Sequence, residues 1–523
     1  MSSTATGGGS VPLRKKIRWD VFTPGIIVFA VAALVGVTNN AALTSYSNDF
    51  FQWSLETFGW LYQYVSMGGF LLVAVITFSK VGKIRLGGKD AKPKFSMMSW
   101  FAMALTGGIA AGIVTWGVNE PLIYYGSVWG EMGQTGIEPF TPAAAQFAMG
   151  RCFYHWTVIP YAMYAACGVL IGYLYFNKKE KLTITSTLKP LFGDRITRGP
   201  LASLVDTLAM MALGLGITGG LTMCITLVIG GLRGYGIAET LPLFVGIGLV
   251  IVFCFTLSSY VGLEKGLKVV GSVNAWFYYG LLVLLLVTGP VLYICRNSTA
   301  GLAMWLDEFF RWGLDPIDIL GPAITRSWTL FDWAVWVAYA PVTAIFLAII
   351  SYGRTIREFM LVNWVLPSVF GFIWFAIWGN TALHMQITGA ADLVKALNDG
   401  GAIMALWEFL RNLPFGLGTI IVPINILIIM VSFITCADAT LTNIGSMCMK
   451  DVPIGTEPPA RVKLLWGVVI GAIAIVMSAF GGGAQGVDGV KSLSVAGGFL
   501  VLFIFLLQLV SAVKVFFHDE IVE

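Results

Sequence analysis

Apolar runs of about 20 residues or more recur along almost the whole chain, and they constrain its fold more than any other feature. The runs lack the alternation of apolar and polar residues that marks a membrane β-barrel, so they predict α-helices. Only 11% of the residues are charged and 57% are hydrophobic, whereas soluble domains carry about 25% charged residues. Such a chain cannot hide its apolar surface in one aqueous core. We therefore predict an all-α integral membrane protein that has the lipid bilayer as its solvent.

The apolar runs predict about twelve transmembrane helices. They divide the chain into a tail over 1–20, a membrane domain over 21–516 and a short tail over 517–523. The predicted spans cover residues 21–41, 57–79, 96–125, 143–176, 202–231, 240–260, 266–295, 328–351, 358–380, 416–446, 463–482 and 492–516.

Two further stretches, 300–313 and 400–412, are amphipathic and are predicted to lie outside the bilayer. In the first, Trp305, Phe309 and Trp312 fit a helix at the membrane interface. An ordinary loop helix explains the same pattern equally well.

Basic residues set the predicted orientation. Lysine and arginine concentrate in the N-terminal tail and in the loops after the second, fourth, sixth, eighth and tenth spans. By the positive-inside rule both termini are cytoplasmic, in a multi-pass protein of the cell membrane. No basic block is typical of a nucleic-acid partner.

Cysteine and histidine usage argues against metal chemistry. The seven cysteines are scattered without metal-ligand spacing, and the only histidines are His155, His384 and His518. We expect no metal site, no disulfide framework and no catalytic residues, because the sequence indicates no cluster of histidines, cysteines and acids. These features favour a secondary transporter over an enzyme.

Two spans contain residues that interrupt helices. The third span contains the glycine-rich run 107–112, and the eighth contains Ala340 and Pro341. Non-helical backbone at membrane depth is tolerated where it lines a cavity, and paired interruptions in two halves mark a transporter site. Close packing of helices through small residues explains the same interruptions equally well.

Aromatic residues cluster inside the fourth and eighth spans. Trp156, Tyr161 and Tyr164 fall within an arc of about 140° on a helix. The eighth span carries Trp328, Phe331, Trp333, Trp336 and Tyr339. A quaternary ammonium has no N–H to donate, so aromatic faces in a dry cavity could bind it by cation–π attraction. Core packing is the competing explanation.

Several short motifs carry a resemblance to a known family. They are Trp116 to Leu122 (WGVNEPL), His155-Trp156 followed by Pro160, Tyr161 and Tyr164, Ser186 to Leu188 with Pro190-Leu191, Gly262 to Gly266 (GLEKG), Trp328 to Trp336, and Gly353 to Glu358 (GRTIRE). The chain resembles the betaine/choline/carnitine transporter family over nearly its whole membrane part. The motifs around Trp336 and at Gly353 to Glu358 are the specific ones.

The resemblance implies two peripheral helices followed by two inverted five-helix repeats (helices 3–7 and 8–12), commonly in a homotrimer. It implies an aromatic substrate box at Trp156, Tyr161, Tyr164 and Trp336, where Tyr161 replaces a tryptophan common in the family. Val335 removes another aromatic wall. The remaining substrate-binding positions that we infer from the resemblance are Phe331, Tyr339, Trp116, Gly108 and Gly112.

The resemblance also implies a coupling-ion region. Its candidate residues are Thr435, Cys436, Ile109, Thr106, Thr218 and Thr222. Cys436 stands where a serine is usual, and a thiol is a poor ligand for the hard sodium ion. Asn274 stands where sodium-independent exchangers of the family have an arginine, whose charge substitutes for the ion; asparagine carries no such charge. We expect sodium to be the coupling ion; proton coupling and exchange are the alternatives.

Arg151, Asp332 and Glu120 are ionisable residues inside predicted spans, and such residues are functional candidates. We predict that Arg151 pairs with Asp332, with Glu120 as another possible partner. Binding of a substrate carboxylate by Arg151 and snorkelling to the outer headgroups are alternatives.

These features together predict a secondary active carrier for a small zwitterionic or cationic quaternary ammonium compound of the betaine, choline or carnitine type. No cofactor is expected besides the coupling ion. An obligatory exchanger of the same fold, a proton-coupled symporter, and a channel or membrane receptor are the alternatives. Enclosed aromatics argue against the channel, which needs a continuous wet pore.

Overall fold

The computed structural model describes residues 13–106, 111–261, 264–450, 452, 457–480 and 487–522. Within these ranges the chain is helical, and extended pairing is limited to isolated bridges between Ile17 and Met449 and between Arg85 and Thr355. The predicted all-α fold is confirmed.

Sixteen longer helices, labelled α1 to α16 here, carry the architecture. In chain order they are Trp19–Thr38, Asn40–Phe78, Met97–Thr106, Ala111–Gly126, Pro142–Trp156, Val158–Phe176, Gly199–Arg233, Leu241–Val261, Glu264–Thr288, Val291–Gly313, Phe331–Ile350, Leu366–Thr388, Leu393–Arg411, Gly418–Met447, Ala460–Phe480 and Val487–Phe517. Two π-helical segments, Pro322–Leu330 and Leu361–Val365, precede α11 and α12. Short helical turns occupy Leu13–Lys16, Lys80–Lys83, Thr185–Leu188, Lys189–Phe192, Gly193–Thr197, Ile317–Leu320, Ile356–Met360 and Pro414–Gly416.

The apolar helices are long enough to span a bilayer. In the described part of the chain nine helical stretches meet that length and composition, or ten if a bent pair counts as one span, and the apolar part of α8, Leu241–Leu257, is shorter. The protein is therefore a multi-pass membrane protein. The count of about twelve spans and the inverted repeats stay predictions.

The predicted seventh span, 266–295, extends too far at its C-terminal end. Helix α9 ends at Thr288, and α10 begins at Val291 with its axis turned by 105°. Gly289 and Pro290 separate the two helices. Proline lacks the N–H that would continue the hydrogen-bond ladder, so an apolar run that looks continuous is divided here.

The fourth span is also divided. Helix α5 ends at Trp156 and α6 begins at Val158, because Thr157 has non-helical dihedral angles (φ −126°, ψ −107°). Pro160 cannot donate to the carbonyl of Trp156 four residues earlier, which removes one helical hydrogen bond at this point. The span predicted over 143–176 is confirmed as one membrane-length stretch, Pro142–Phe176, and its helix is interrupted at Thr157.

The interruption predicted at Ala340 and Pro341 is absent from the described helix, since α11 continues through both residues. The irregular part of this span lies earlier, in the π-helical segment Pro322–Leu330. A π-helix is rare and occurs frequently at functional sites. Of the glycine-rich run predicted to interrupt the third span, 107–112, residues 107–110 lie outside the described residues, and Ala111 and Gly112 begin α4.

The two amphipathic stretches form parts of α10 and α13. In α10 the rings of Trp305, Phe309 and Trp312 are buried, and α10 packs along α5. These rings therefore pack against protein instead of lying exposed as interfacial anchors. The stretch 400–412 lies in α13, which bends at Gly401 where φ is 72°.

The helices that surround the site pack against one another closely. Helix α11 packs against α6 and α16, and α4 packs against α5, α12 and α13. At Gly498 of α16 an added Cβ would lie 2.1 Å from the carbonyl oxygen of Ala334. A residue without a side chain is required for this approach, as in many membrane helix contacts.

The segment before α1 is fastened to the ends of two other helices. The backbone N–H of Arg18 donates to the carbonyl of Cys448 (2.8 Å), and that of Lys450 donates to Lys16 (2.7 Å). The guanidinium of Arg18 lies 2.6 Å from the carboxylate of Asp206 on α7, whose side chain is 6% exposed. The ion pair thus joins this segment to α7, and the backbone bonds join it to the end of α14.

We predict that Arg18→Gln destabilises the protein by about 3 kcal/mol, because it leaves the Asp206 carboxylate buried without its cation. The double variant Arg18→Gln/Asp206→Asn should recover part of the loss. Thermal unfolding in detergent measures both, with Lys15→Gln as an exposed control on the same segment. Equal unfolding temperatures for Arg18→Gln and Lys15→Gln would contradict the prediction.

Candidate functional site

Four aromatic rings from three helices meet, with Trp336 of α11 at their centre. The ring centroid of Trp336 lies 6.0 Å from Trp156, 5.5 Å from Tyr161 and 5.1 Å from Tyr164, with interplanar angles of 77°, 67° and 55°. These are the four residues predicted to form the aromatic box. The structure brings them together inside the protein, and we call them the aromatic box below.

The break between α5 and α6 shapes this box. Trp156 is the last residue of α5, whereas Tyr161 and Tyr164 lie on α6. An added Cβ at Gly371 of α12 would lie 2.6 Å from the Trp156 carbonyl oxygen, so α12 covers the break closely. The break is therefore enclosed by protein, as irregular backbone in a membrane must be.

Phe375 of α12 is a fifth ring beside the box, and sequence reasoning missed it. Its centroid lies 5.4 Å from that of Trp156 at an interplanar angle of 30°. One turn before it, Gly371 brings α12 against α5. A phenylalanine in an apolar run carries no signal that distinguishes it from a core residue.

For three other predicted substrate residues the structure shows contacts with residues that do not belong to the box. The ring centroid of Phe331 lies 6.5 Å from that of Phe51 on α2. The hydroxyl of Tyr339 packs against α7, where a Cβ added at Gly216 would lie 2.6 Å from it. Trp116 packs edge-on against Trp328 (5.6 Å).

Of the two glycines predicted to bind substrate, the structure describes one. Gly112 lies on α4, where an added Cβ would be 4.0 Å from the ring of Trp116. Gly108 lies outside the described residues.

A buried polar network adjoins Trp156. One oxygen of Glu120 lies 2.6 Å from Nδ1 of His155, and the other accepts a hydrogen bond from Nε1 of Trp156 at 2.6 Å. The hydroxyl of Tyr124, one turn further along α4, donates to Glu120 at 3.1 Å. Glu120 and His155 are buried, with exposures of 1% and 0%.

Arg151 completes the network. Its guanidinium donates to the hydroxyl of Thr329 in the π-helical segment and lies 3.1 Å from Nε2 of His155. It also lies over the rings of Tyr154 (5.6 Å) and Trp312 (4.8 Å), where cation–π attraction stabilises its charge.

The predicted Arg151–Asp332 pair is linked through His155 in the structure. Asp332 Oδ2 lies 3.3 Å from His155 Nδ1, and the described partners of Arg151 are Thr329, His155 and the two rings. Sequence reasoning gave His155 and Thr329 no role. An i, i+4 relation between Arg151 and His155 on one helix was the available signal.

The hydrogen-bond geometry assigns the tautomer of His155. A guanidinium can only donate, so Nε2 facing Arg151 accepts and Nδ1 carries the proton. That proton is donated to Glu120, which as a carboxylate can only accept. His155 thus connects the cation of Arg151 to the anion of Glu120 as a neutral ring.

Glu120, His155 and Asp332 also form a group whose ligand atoms lie within 4.8 Å of one another. The expectation that no cluster of histidine and acids exists is therefore corrected; its members come from separate helices, which sequence spacing does not reveal. Both ring nitrogens of His155 are engaged, one by Arg151 and one by Glu120. A metal ion would have to displace one of these bonds, so the donor set does not fit a metal well.

The candidate ion ligands lie on two helices that pack together, α7 and α14. The hydroxyls of Thr218 and Thr222 donate to the carbonyls of Gly214 (2.7 Å) and Thr218 (2.9 Å). The hydroxyl of Thr435 donates to Val431 (2.9 Å), and Cys436 follows it on α14. These hydroxyl oxygens keep lone pairs for a cation, since each uses its proton within its own helix.

Two further coupling-ion candidates, Ile109 and Thr106, cannot be placed in the same way, and neither can Asn274, the position at which sodium-independent exchangers have an arginine. Ile109 lies outside the described residues, as do the side chains of Thr106 and Asn274.

Comparison with known proteins places the chain in a family. A family model described as betaine/carnitine/choline family transporter matches residues 20–521. The chain is 32% identical over 468 residues to the glycine betaine transporter OpuD of Bacillus subtilis, covering 88% of each chain. It is 32% identical to a probable glycine betaine transporter of Desulfitobacterium hafniense, covering 90% of this chain and 92% of that one.

An ectoine/hydroxyectoine transporter of Virgibacillus pantothenticus is 29% identical, with 88% of this chain and 90% of that chain covered. These matches confirm the family that the sequence motifs indicated, and the members of this family are transporters, not enzymes. With an all-helical membrane fold and a family match that extends over nearly its full length, the chain belongs to the betaine/carnitine/choline transporter family.

Proposed function

We propose that the protein is a secondary active transporter that carries a small quaternary ammonium or related zwitterionic compound by alternating access. The observation that carries the proposal is the contact of Trp336 with Trp156, Tyr161 and Tyr164. A trimethylammonium group cannot donate an N–H hydrogen bond, so ring faces with their negative quadrupole are its natural partners.

The substrate that we favour is glycine betaine or a similarly compact zwitterion. Two of the relatives above are named as glycine betaine transporters and one as an ectoine/hydroxyectoine transporter. Choline and carnitine share the ammonium group and belong to the same proposed class. The box is lined on one side by Tyr161 and not tryptophan, which leaves room and a hydroxyl at that wall.

We propose sodium as the coupling ion and uptake as the direction. Thr218 and Thr222 on α7, with Thr435 on the adjacent α14, offer the oxygen ligands that hard cations prefer. Proton coupling is a second candidate, because the buried Glu120–His155 pair at 2.6 Å could share a proton. Sodium-independent exchange of substrate for product is the third.

The proposed setting is the cell membrane, with both termini in the cytoplasm. This orientation rests on the distribution of basic residues. A homotrimer is proposed from the family resemblance.

We predict that Trp336→Ala and Trp156→Ala each weaken binding of glycine betaine by about 1–2 kcal/mol or more, the scale of a desolvated cation–π contact. Binding to the purified protein by calorimetry measures the effect. Trp276→Ala is the matched control, because this tryptophan of α9 is 74% exposed on the outer surface of the helical bundle. Unchanged affinity in both box variants would refute the aromatic box.

We predict that glycine betaine uptake into proteoliposomes requires an inward sodium gradient and is not driven by a proton gradient alone. The matched pair Cys436→Ser and Cys436→Ala tests the ion region. A hydroxyl is a better ligand for sodium than a thiol, so Cys436→Ser should lower the sodium concentration for half-maximal uptake, whereas Cys436→Ala should not. Uptake driven by protons without sodium would favour the second candidate.

A further inference from the structure

The carboxylate of Glu120 contacts one ring of the aromatic box, that of Trp156. It accepts a hydrogen bond of 2.6 Å from the indole N–H of Trp156. The Trp156 ring in turn contacts Trp336 and Phe375. Glu120 therefore acts on the box through Trp156.

Glu120 is itself held from several directions. Its other oxygen bonds Nδ1 of His155 at 2.6 Å, and the Tyr124 hydroxyl donates to the same oxygen at 3.1 Å. The residue before it, Asn119, donates to the carbonyl of Ala402 on α13 at 2.6 Å. With both oxygens bonded and its helix fixed to a neighbour, the carboxylate keeps a defined position relative to Trp156.

A carboxylate at this place has two effects on an indole ring. A charge-assisted hydrogen bond is stronger than a neutral one, so it fixes the plane of the ring. In a low-dielectric interior the carboxylate also polarises the ring. Its negative charge repels electron density from the N–H toward the rest of the indole. The face of the ring becomes more negative, which strengthens its attraction for a cation.

We propose that Glu120 is a positioning residue that orients and polarises Trp156 and thereby sets the preference of the box for a cationic head group over an uncharged group of the same shape. This inference rests on the proposed function, since it requires the aromatic box to bind the substrate. It assigns Glu120 a role in substrate selection, which differs from the role of ion-pair partner for Arg151.

The test compares two ligands that differ in one atom. Glycine betaine carries a trimethylammonium group, and 3,3-dimethylbutanoate has carbon in place of the nitrogen. The measured quantity is the selectivity, the ratio of their inhibition constants against radiolabelled glycine betaine uptake. Glu120→Gln should reduce this selectivity by about tenfold, the scale of one hydrogen bond to a charged group. An equal loss of affinity for both ligands would overturn the proposal and leave only a packing role.

The route through Trp156 is tested by combining variants. In a Trp156→Phe background the N–H is gone, so adding Glu120→Gln should change the selectivity little. If Glu120→Gln reduces the selectivity as much in that background as in the native protein, the charge acts directly on the ligand, and the proposal is wrong. Trp336→Phe is the matched control for Trp156→Phe, because each replaces an indole of the box by a phenyl ring. Selectivity should fall more at Trp156 than at Trp336.

Glu120→Asp is a second variant that tests the same contact if Glu120→Gln fails to fold. It retains the charge but shortens the side chain by one methylene, which withdraws the carboxylate from the indole N–H. Selectivity should fall as in Glu120→Gln, and native selectivity in this variant would overturn the proposal. Failure of the box itself is distinguishable, because Trp336→Ala and Trp156→Ala would then leave glycine betaine affinity unchanged.

Discussion

Every backbone polar group inside this chain has to find a partner within the protein, because hydrocarbon offers none. The constraint is most visible where helices depart from regular geometry. The break at Thr157 is covered by α12 at Gly371, and the indole of Trp364 donates to the carbonyl of Val158 at 2.9 Å. An irregular backbone at this depth is thus possible only because neighbouring helices enclose it. The place that they enclose is also the wall of the aromatic box.

The same constraint governs the buried charges. Arg151 and Glu120 are separated by a neutral His155, which accepts from one and donates to the other. Removing a charge from water is costly, and opposite charges with satisfied hydrogen bonds offset that cost. The chain of contacts runs from Thr329 in the π-helical segment to Trp156. It connects the two spans that carry the box through polar groups as well as rings.

Much of this architecture follows from the sequence, and the remainder depends on contacts between distant residues. The apolar runs predict the membrane helices, and the motifs around Trp156 and Trp336 predict the four rings of the box. The end of α9 at Thr288 and the break at Thr157 depend on single prolines inside apolar runs, which hydropathy averages away. The cluster of Glu120, His155 and Asp332 could not be predicted, because it forms only when three helical segments pack. Phe375 has the same origin.

Helical periodicity alone accounts for which residues share a side of the fourth span, but not for how they form one box. On an unbroken helix the Cα atoms of Trp156 and Tyr164 would be about 12 Å apart along the axis. One ring, Trp336, nevertheless contacts both of them, and Tyr161 as well. The break at Thr157 places Trp156 on α5 and the two tyrosines on α6, and the indole of Trp156 donates its N–H to Glu120 while its ring stays against Trp336. The break at Thr157 and the carboxylate of Glu120 therefore act on neighbouring parts of one arrangement: the break separates Trp156 from α6, and the carboxylate fixes the orientation of its indole.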